Sequence, residues 1–299
     1  MSREIPLVFP CAGDSLIGIL HDPETPAARG VLLVVGGPQY RVGSHRQFLL
    51  LARHLADHGI PVLRMDYRGM GDSDGDYLGF EHVHDDIAAG VDALVAHCPQ
   101  VAEVVLWGLC DAASANLFYA ATDPRVAGVA LLNPWVRTVE GEAKAYLRHY
   151  YVARLKDPEF WRKLASGGVN PATVLKSMAG LVARATGRGG EDPAPEEPSP
   201  AEGLPTVLMP APPADAAPLP DRMLAAMAAF EGAVLLIVSG RDLTAKEFLD
   251  AAQASRGWRD LLAAPRVVRR DLEAADHTFS RREWRDRIAA WTLDWLKSW

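Results

Sequence analysis

The feature that most constrains this 299-residue chain is a set of apolar runs set apart by helix-length amphipathic stretches. Residues 31–35 (VLLVV), 104–107 (VVLW), 126–132 (VAGVALL) and 233–239 (AVLLIVS) lack the alternation of a half-exposed strand. Such runs suit strands covered on both faces. Residues 16–21, 61–66 and 266–270 are further, weaker strand candidates. Between them, 45–58, 80–97 and 112–121 have helical spacing. Strands at helix-length intervals need crossover connections, so the expected fold class is α/β, with a mostly parallel central sheet and helices on both faces. The last helix, expected over 281–297, puts Trp284, Ile288, Trp291 and Trp295 on one stripe, which reads as core packing rather than a ligand cage.

Composition narrows the function classes. Hydrophobic residues make up 49% and charged residues 23%, as in globular proteins, and the net charge is −7. No basic excess favours nucleic acid, and no apolar run approaches the roughly 20 residues of a membrane span. No secretory leader is read at the N-terminus. The three cysteines, Cys11, Cys98 and Cys110, form no CxxC pair, so neither a disulfide framework nor a zinc site is expected. They suit a reducing compartment, and the expected location is cytoplasmic.

The middle of the chain differs. Helical patterns run over 140–165 and 171–186, and ten of the 22 prolines fall between positions 191 and 220. The expected division is a core of 1–133 and 231–299, with a helical cap at 134–230 whose segment 187–220 is Pro-rich and mobile.

The strongest chemical signal is Gly108-Leu109-Cys110-Asp111-Ala112, between a buried strand and a helix. A small-x-nucleophile-x-small turn lifts its central side chain above the strand ends. Cys110 is therefore the candidate nucleophile. Among nine histidines, His277 lies after the last strand and before the last helix, where a base would face that sheet edge. Asp242 follows the strand 233–239 in Ser239-Gly240-Arg241-Asp242 and is the candidate acid; Asp276 is a rival, poorly placed because it adjoins the histidine. For an oxyanion, the N–H of Asp111 is one expected donor. The second is Gly37 or Gln39 of Gly36-Gly37-Pro38-Gln39-Tyr40, with Gln39 preferred. Arg68, in Asp66-Tyr67-Arg68-Gly69, reads as a structural ion pair. Ser73 is a hydroxyl that no elbow presents. At a helix N-terminus and near His277, Cys110 is expected to have a lowered thiol pKa. Cys11, in an N-terminal turn, and Cys98, at a helix end, are not. Tyr40, Tyr146, Tyr150, Tyr151 and Trp161 are candidate apolar walls of the site.

In this order the segments GGPQY, DYRGMGDSDG, WGLCDAASA, SGRD and DHTF resemble the α/β-hydrolases. The elbow GLCDA together with GGPQYRVGSHRQF resembles, more narrowly, the exosortase A system-associated hydrolases, bacterial proteins tied by gene neighbourhood to exopolysaccharide production and protein sorting. The resemblance implies an α/β-hydrolase fold with an inserted cap. It also implies nucleophile–acid–base order, here Cys110, Asp242, His277. The expected activity is hydrolysis of an ester or thioester through an acyl-cysteine. An acyltransferase with an alcohol or amine acceptor, and a non-catalytic binding protein, remain alternatives. No cofactor or metal is expected. The expected partner is a small-molecule or carrier-bound acyl substrate, and a homodimer is admitted.

Overall fold

The computed structural model describes residues 2–37, 39–138 and 216–299. Eight strands form one sheet in the order β1-β2-β4-β3-β5-β6-β7-β8. They are β1 (Arg3–Cys11), β2 (Asp14–Asp22), β3 (Arg29–Val34), β4 (Val62–Asp66), β5 (Glu103–Leu109), β6 (Val126–Leu132), β7 (Ala233–Ser239) and β8 (Val267–Leu272). The pairs β1–β2 and β2–β4 are antiparallel, and all pairs from β4 onward through β3 to β8 are parallel. This is the α/β-hydrolase fold, mostly parallel with helices on both faces.

The described helices are α1 (Gln47–Asp57), α2 (His84–His97), α3 (Asp111–Ala120), α4 (Leu219–Ala229), α5 (Leu243–Ala254), α6 (Arg256–Leu262) and α7 (Arg282–Leu296). Strand side chains alternate between faces, so the continuous apolar runs feed two cores. Leu32 and Val34 of β3, Leu106 of β5 and Leu236 of β7 join one cluster with Ile87 and Val91 of α2, Leu117 of α3 and Met223 and Met227 of α4. Val31, Leu33, Trp107, Leu132 and Ile237 join the other, with Phe48 and Leu55 of α1 and Trp284, Ile288 and Trp295 of α7. Trp291 packs partly buried against the same cluster, so the tryptophan stripe is core. Burying a side chain of this kind stabilises the fold by about 1.5–3 kcal/mol.

Three features go beyond the sequence expectations. β1 lies where no strand is expected, at the sheet edge, with Leu7, Phe9 and Cys11 buried and the residues between them exposed. Pro6 and Pro10 weaken its signal, but prolines are tolerated on an edge strand. Cys11 thus ends a strand rather than sitting in a turn; the turn is Ala12-Gly13, with φ of 50° and 99°. That geometry matches the positive-φ hairpin turn that follows strand twist. α5 and α6 follow β7 where no helix is expected. Finally, α4 lies within the stretch expected as cap, yet Met223 and Met227 are fully buried in the core cluster that contains α3. The helices expected over 140–165 and 171–186, most of the Pro-rich segment, and Tyr146, Tyr150, Tyr151 and Trp161 lie outside the described residues. Among the described residues no helix is long and apolar enough to cross a membrane.

Candidate active site

The carboxyl ends of β5, β7 and β8 converge on one sheet edge. At the end of β5, Cys110 has φ 64° and ψ −125°, a strained conformation for a side-chain-bearing residue. Its N–H donates to Leu132 O (2.8 Å), and its carbonyl accepts from Ala113 N–H (3.1 Å) and Trp135 N–H (3.2 Å). The sharp turn is therefore tied to β6 and to the chain beyond it. It also explains Gly108: a Cβ there would lie 2.7 Å from the Ala112 carbonyl carbon and 2.7 Å from Asn116 Nδ2.

At the end of β7, Gly240 N–H donates to Leu272 O (3.1 Å) and Arg241 N–H donates to Ala275 O (2.9 Å). These bonds draw the segment after β8 against Asp242. The Asp242 carboxylate is buried and accepts from Thr244 N–H (3.2 Å) and Ala245 N–H (3.0 Å), capping α5. Its Oδ2 also lies 2.9 Å from His277 Nδ1. A carboxylate only accepts, so Nδ1 carries the proton of this contact. The rival Asp276 is engaged elsewhere: it accepts from Ser280 N–H (2.9 Å) and from the Ser280 hydroxyl.

Asn133 ties these parts together, and no signal in the sequence singled it out beyond its place directly after β6. Fully buried with φ 43°, it accepts from Ser239 N–H at 2.9 Å through Oδ1. Its Nδ2 donates to Ser239 Oγ (2.8 Å) and to the His277 carbonyl (3.0 Å).

The glycine loop meets the elbow in an unexpected way. Gly37 N–H donates to the Asp111 carboxyl, at Oδ2, 2.8 Å away. Asp111 Oδ1 accepts from Ala112 N–H at 3.0 Å. Gln39 N–H donates to Gly37 O (2.8 Å). Both expected second oxyanion donors are thus engaged within the protein, Gly37 by a carboxyl group. Gly36 must be glycine for the same reason, since a Cβ would lie 2.2 Å from Asp111 Oδ1.

Burial, with this carboxyl, corrects the expectation for the thiol. Cys110 is half-buried, and desolvation followed by the adjacent Asp111 charge pushes its thiol well above the usual range; the Asp111 N–H opposes this and is outweighed. The helix N-terminus does not make it acidic. Burial likewise pushes Cys11 and Cys98 up to about 11. Asp111 is itself pushed up to about 6 by burial, against the backbone N–H groups that favour its charge.

The remaining candidates have contacts of their own. Arg68 is an ion-pair residue, its guanidinium on Asp86 at 2.8 Å. Ser73 is structural: its hydroxyl donates to Asp66 O (2.7 Å) and accepts from Ile17 N–H (2.9 Å). Tyr40 is exposed, donates to Asp72 Oδ2 at 3.0 Å, and lies under the Arg41 guanidinium.

Known proteins agree with this architecture. An esterase of Pyrococcus furiosus superposes with a TM-score of 0.63 at 14% identity, over 100% of this chain and 92% of that one. An acylaminoacyl peptidase of Pyrococcus horikoshii gives 0.60 at 14%, over 99% of this chain and 41% of that one. A thermophilic esterase of Thermogutta terrifontis gives 0.54 at 18%, over 99% and 98%. At these identities the likeness is one of fold. No curated protein sequence matches the chain. The family model described as serine aminopeptidase, S33, matches residues 26–176, half of the chain, with the elbow inside the match and cysteine at its centre. The chain belongs to the S33 serine aminopeptidase family of α/β-hydrolases.

Proposed function

We propose that this protein hydrolyses an ester or thioester through a covalent acyl-cysteine at Cys110, with His277 as base and Asp242 as the acid that orients it. The observation that carries the reading is the His277–Asp242 contact at 2.9 Å, on the sheet edge where Cys110 adopts its strained elbow. A resting thiol of raised pKa fits proton removal during attack rather than a standing thiolate. His277 takes the Sγ proton as sulfur bonds to the carbonyl carbon. The bond to the leaving group then breaks, and His277 returns the proton to it. Water attacks the thioester with His277 again taking a proton, the acid leaves, and the thiol is restored. Asp242 stabilises the imidazolium and holds the tautomer.

The cap is proposed for the stretch between β6 and α4. The chain leaves β6 beside the elbow, where Cys110 N–H meets Leu132 O, and ligands of open α/β sheets bind at such carboxyl ends. The resemblance to exosortase A system-associated hydrolases makes exopolysaccharide biosynthesis the proposed setting. Intact-mass spectrometry across p-nitrophenyl esters and acyl-thioesters tests the mechanism. A single acyl adduct that maps to Cys110 and is absent from Cys110→Ala is expected. An adduct elsewhere, or turnover by Cys110→Ala, overturns it.

A further inference from the structure

The chemistry above leaves one buried charged group beside the nucleophile without a role. Asp111 follows Cys110 directly and is 6% exposed. Its Oδ2 accepts the Gly37 N–H (2.8 Å) and its Oδ1 the Ala112 N–H (3.0 Å). A carboxyl that accepts at both oxygens behaves as an ionised carboxylate. These described donors are backbone N–H groups rather than a guanidinium or ammonium, so no side-chain counter-charge sits on it. Gly37 belongs to the loop expected to face a substrate carbonyl, and the negative charge stands on that side of Cys110. We propose that the Asp111 carboxylate is a specificity-determining residue, which rejects acyl groups carrying a negative charge near the scissile carbonyl and favours neutral or cationic ones. The inference rests on the acyl-cysteine reading and adds to it the charge class of the acyl donor.

The reason is electrostatic. Amide dipoles hold a carboxylate in place without cancelling its charge, and a buried charge is screened little by salt. An acyl group positioned for attack by Cys110 must lie close to it. At about 6 Å and an effective dielectric constant near 20, repulsion between like charges is worth a discrimination of about 100-fold. The carboxylate is fixed where it acts: a Cβ on Gly36 would lie 2.2 Å from Oδ1, so the loop after β3 packs directly against it. Its charge is felt at the nucleophile. It raises the Cys110 thiol more than Asp242 does, and Arg137, which opposes both, counts least of the three. Arg137 is itself engaged by the buried Glu247, Nε to Oε2 at 3.2 Å. The field at Cys110 is therefore set by the carboxylates. Asp111 also opposes the oxyanion, but equally for every acyl donor, so this cost cancels when donors are compared. A cationic group near the carbonyl offsets the cost, and an anionic one adds to it.

The test measures kcat/KM and Cys110 adduct formation of the full chain at neutral pH with N-acetylcysteamine thioesters, uncatalysed hydrolysis subtracted. The acyl groups form two near-isosteric pairs. Succinyl and succinamyl differ by one negative charge, and β-alanyl and butyryl by one positive charge. Wild type is expected to use succinamyl about tenfold or more faster than succinyl, and β-alanyl at least as fast as butyryl. Asp111→Asn keeps the side-chain shape and removes the charge. In it the succinamyl preference is expected to shrink to about threefold or less, and the ratio of β-alanyl to butyryl to fall about tenfold. A loosened elbow or loop would lower all four rates together and leave both ratios alone, and thermal unfolding checks that the variant is folded. Wild type that uses succinyl as fast as succinamyl overturns the inference without any variant. So do ratios that Asp111→Asn leaves unchanged, and so does a wild-type preference for succinyl, which would point to Arg137 instead. If those results come with normal Cys110 adducts, only the role of Asp111 fails. If wild type forms no adduct, the acyl-cysteine reading fails and takes this inference with it.

Discussion

His277 Nδ1 sits 2.9 Å from Asp242 Oδ2, and the same carboxylate caps α5 through the N–H groups of Thr244 and Ala245. One side chain thus serves a helix start and an imidazole. The backbone donors fix its orientation before any substrate arrives.

This double duty separates two substitutions. Asp242→Asn keeps a good cap, so stability changes little, while kcat falls by about 10²–10⁴ because an amide permits the wrong tautomer. Asp242→Ala loses both and also costs about 1 kcal/mol of stability. Chemical unfolding read beside steady-state kinetics checks both. Equal stability losses in the two variants would remove the capping argument.

Cys110 holds a positive φ that glycine tolerates without strain. Cys110→Ala is expected to be inactive with unchanged stability. Cys110→Gly is expected to be inactive and more stable by about 1 kcal/mol. Because the thiol is pushed up, alkylation by iodoacetamide at neutral pH should be slow and should speed up with pH. Cys110 is half-buried whereas Cys11 and Cys98 are buried, so peptide mapping should find it modified first.

Asn133→Ala deletes three hydrogen bonds at a fully buried position and leaves the Ser239 N–H without its acceptor. A loss of about 2–3 kcal/mol is expected. Since the Asn133 amide also holds the His277 carbonyl, kcat should fall more than KM rises. A variant with normal kcat would mean that the loop is held without it.

His21 is fully buried and accepts from Arg64 Nε at 2.9 Å, so it is neutral in the fold. Burial, then the Arg64 charge, lowers its pKa to about 4. The unfolded chain takes up this proton near pH 6.5 and the folded chain does not until about 4. This contribution is therefore fully present above about 6.5 and is lost as pH falls towards 4, on the order of 3 kcal/mol in all. Unfolding free energies of wild type and His21→Gln over pH 4–7 check it: the variant should show the shallower acid slope.

The sequence alone determined the sheet's central strands, because a strand covered on both faces needs an unbroken apolar run, and β3, β5, β6 and β7 have one. It also determined the elbow, since only small residues fit at Gly108 beside the start of α3, and the stripe that seats Trp284 and Trp295 in the core. These signals are local. Tertiary structure decided what depends on partners distant in the chain. β1 exists because Arg3–Cys11 finds β2 as a neighbour, although its prolines argue against a strand. α4 joins the core because Met223 and Met227 meet the cluster that holds α3; the stripe Leu219, Met223, Met227 marks an apolar helix face but not the surface that it packs against. Asp111 adjoins Cys110 in sequence, yet its carboxyl could be placed on Gly37 only by the fold, 74 residues away. Burial at that place, with the neighbouring carboxyl, reverses the expected acidity of the thiol, because together they outweigh the Asp111 N–H at the helix N-terminus.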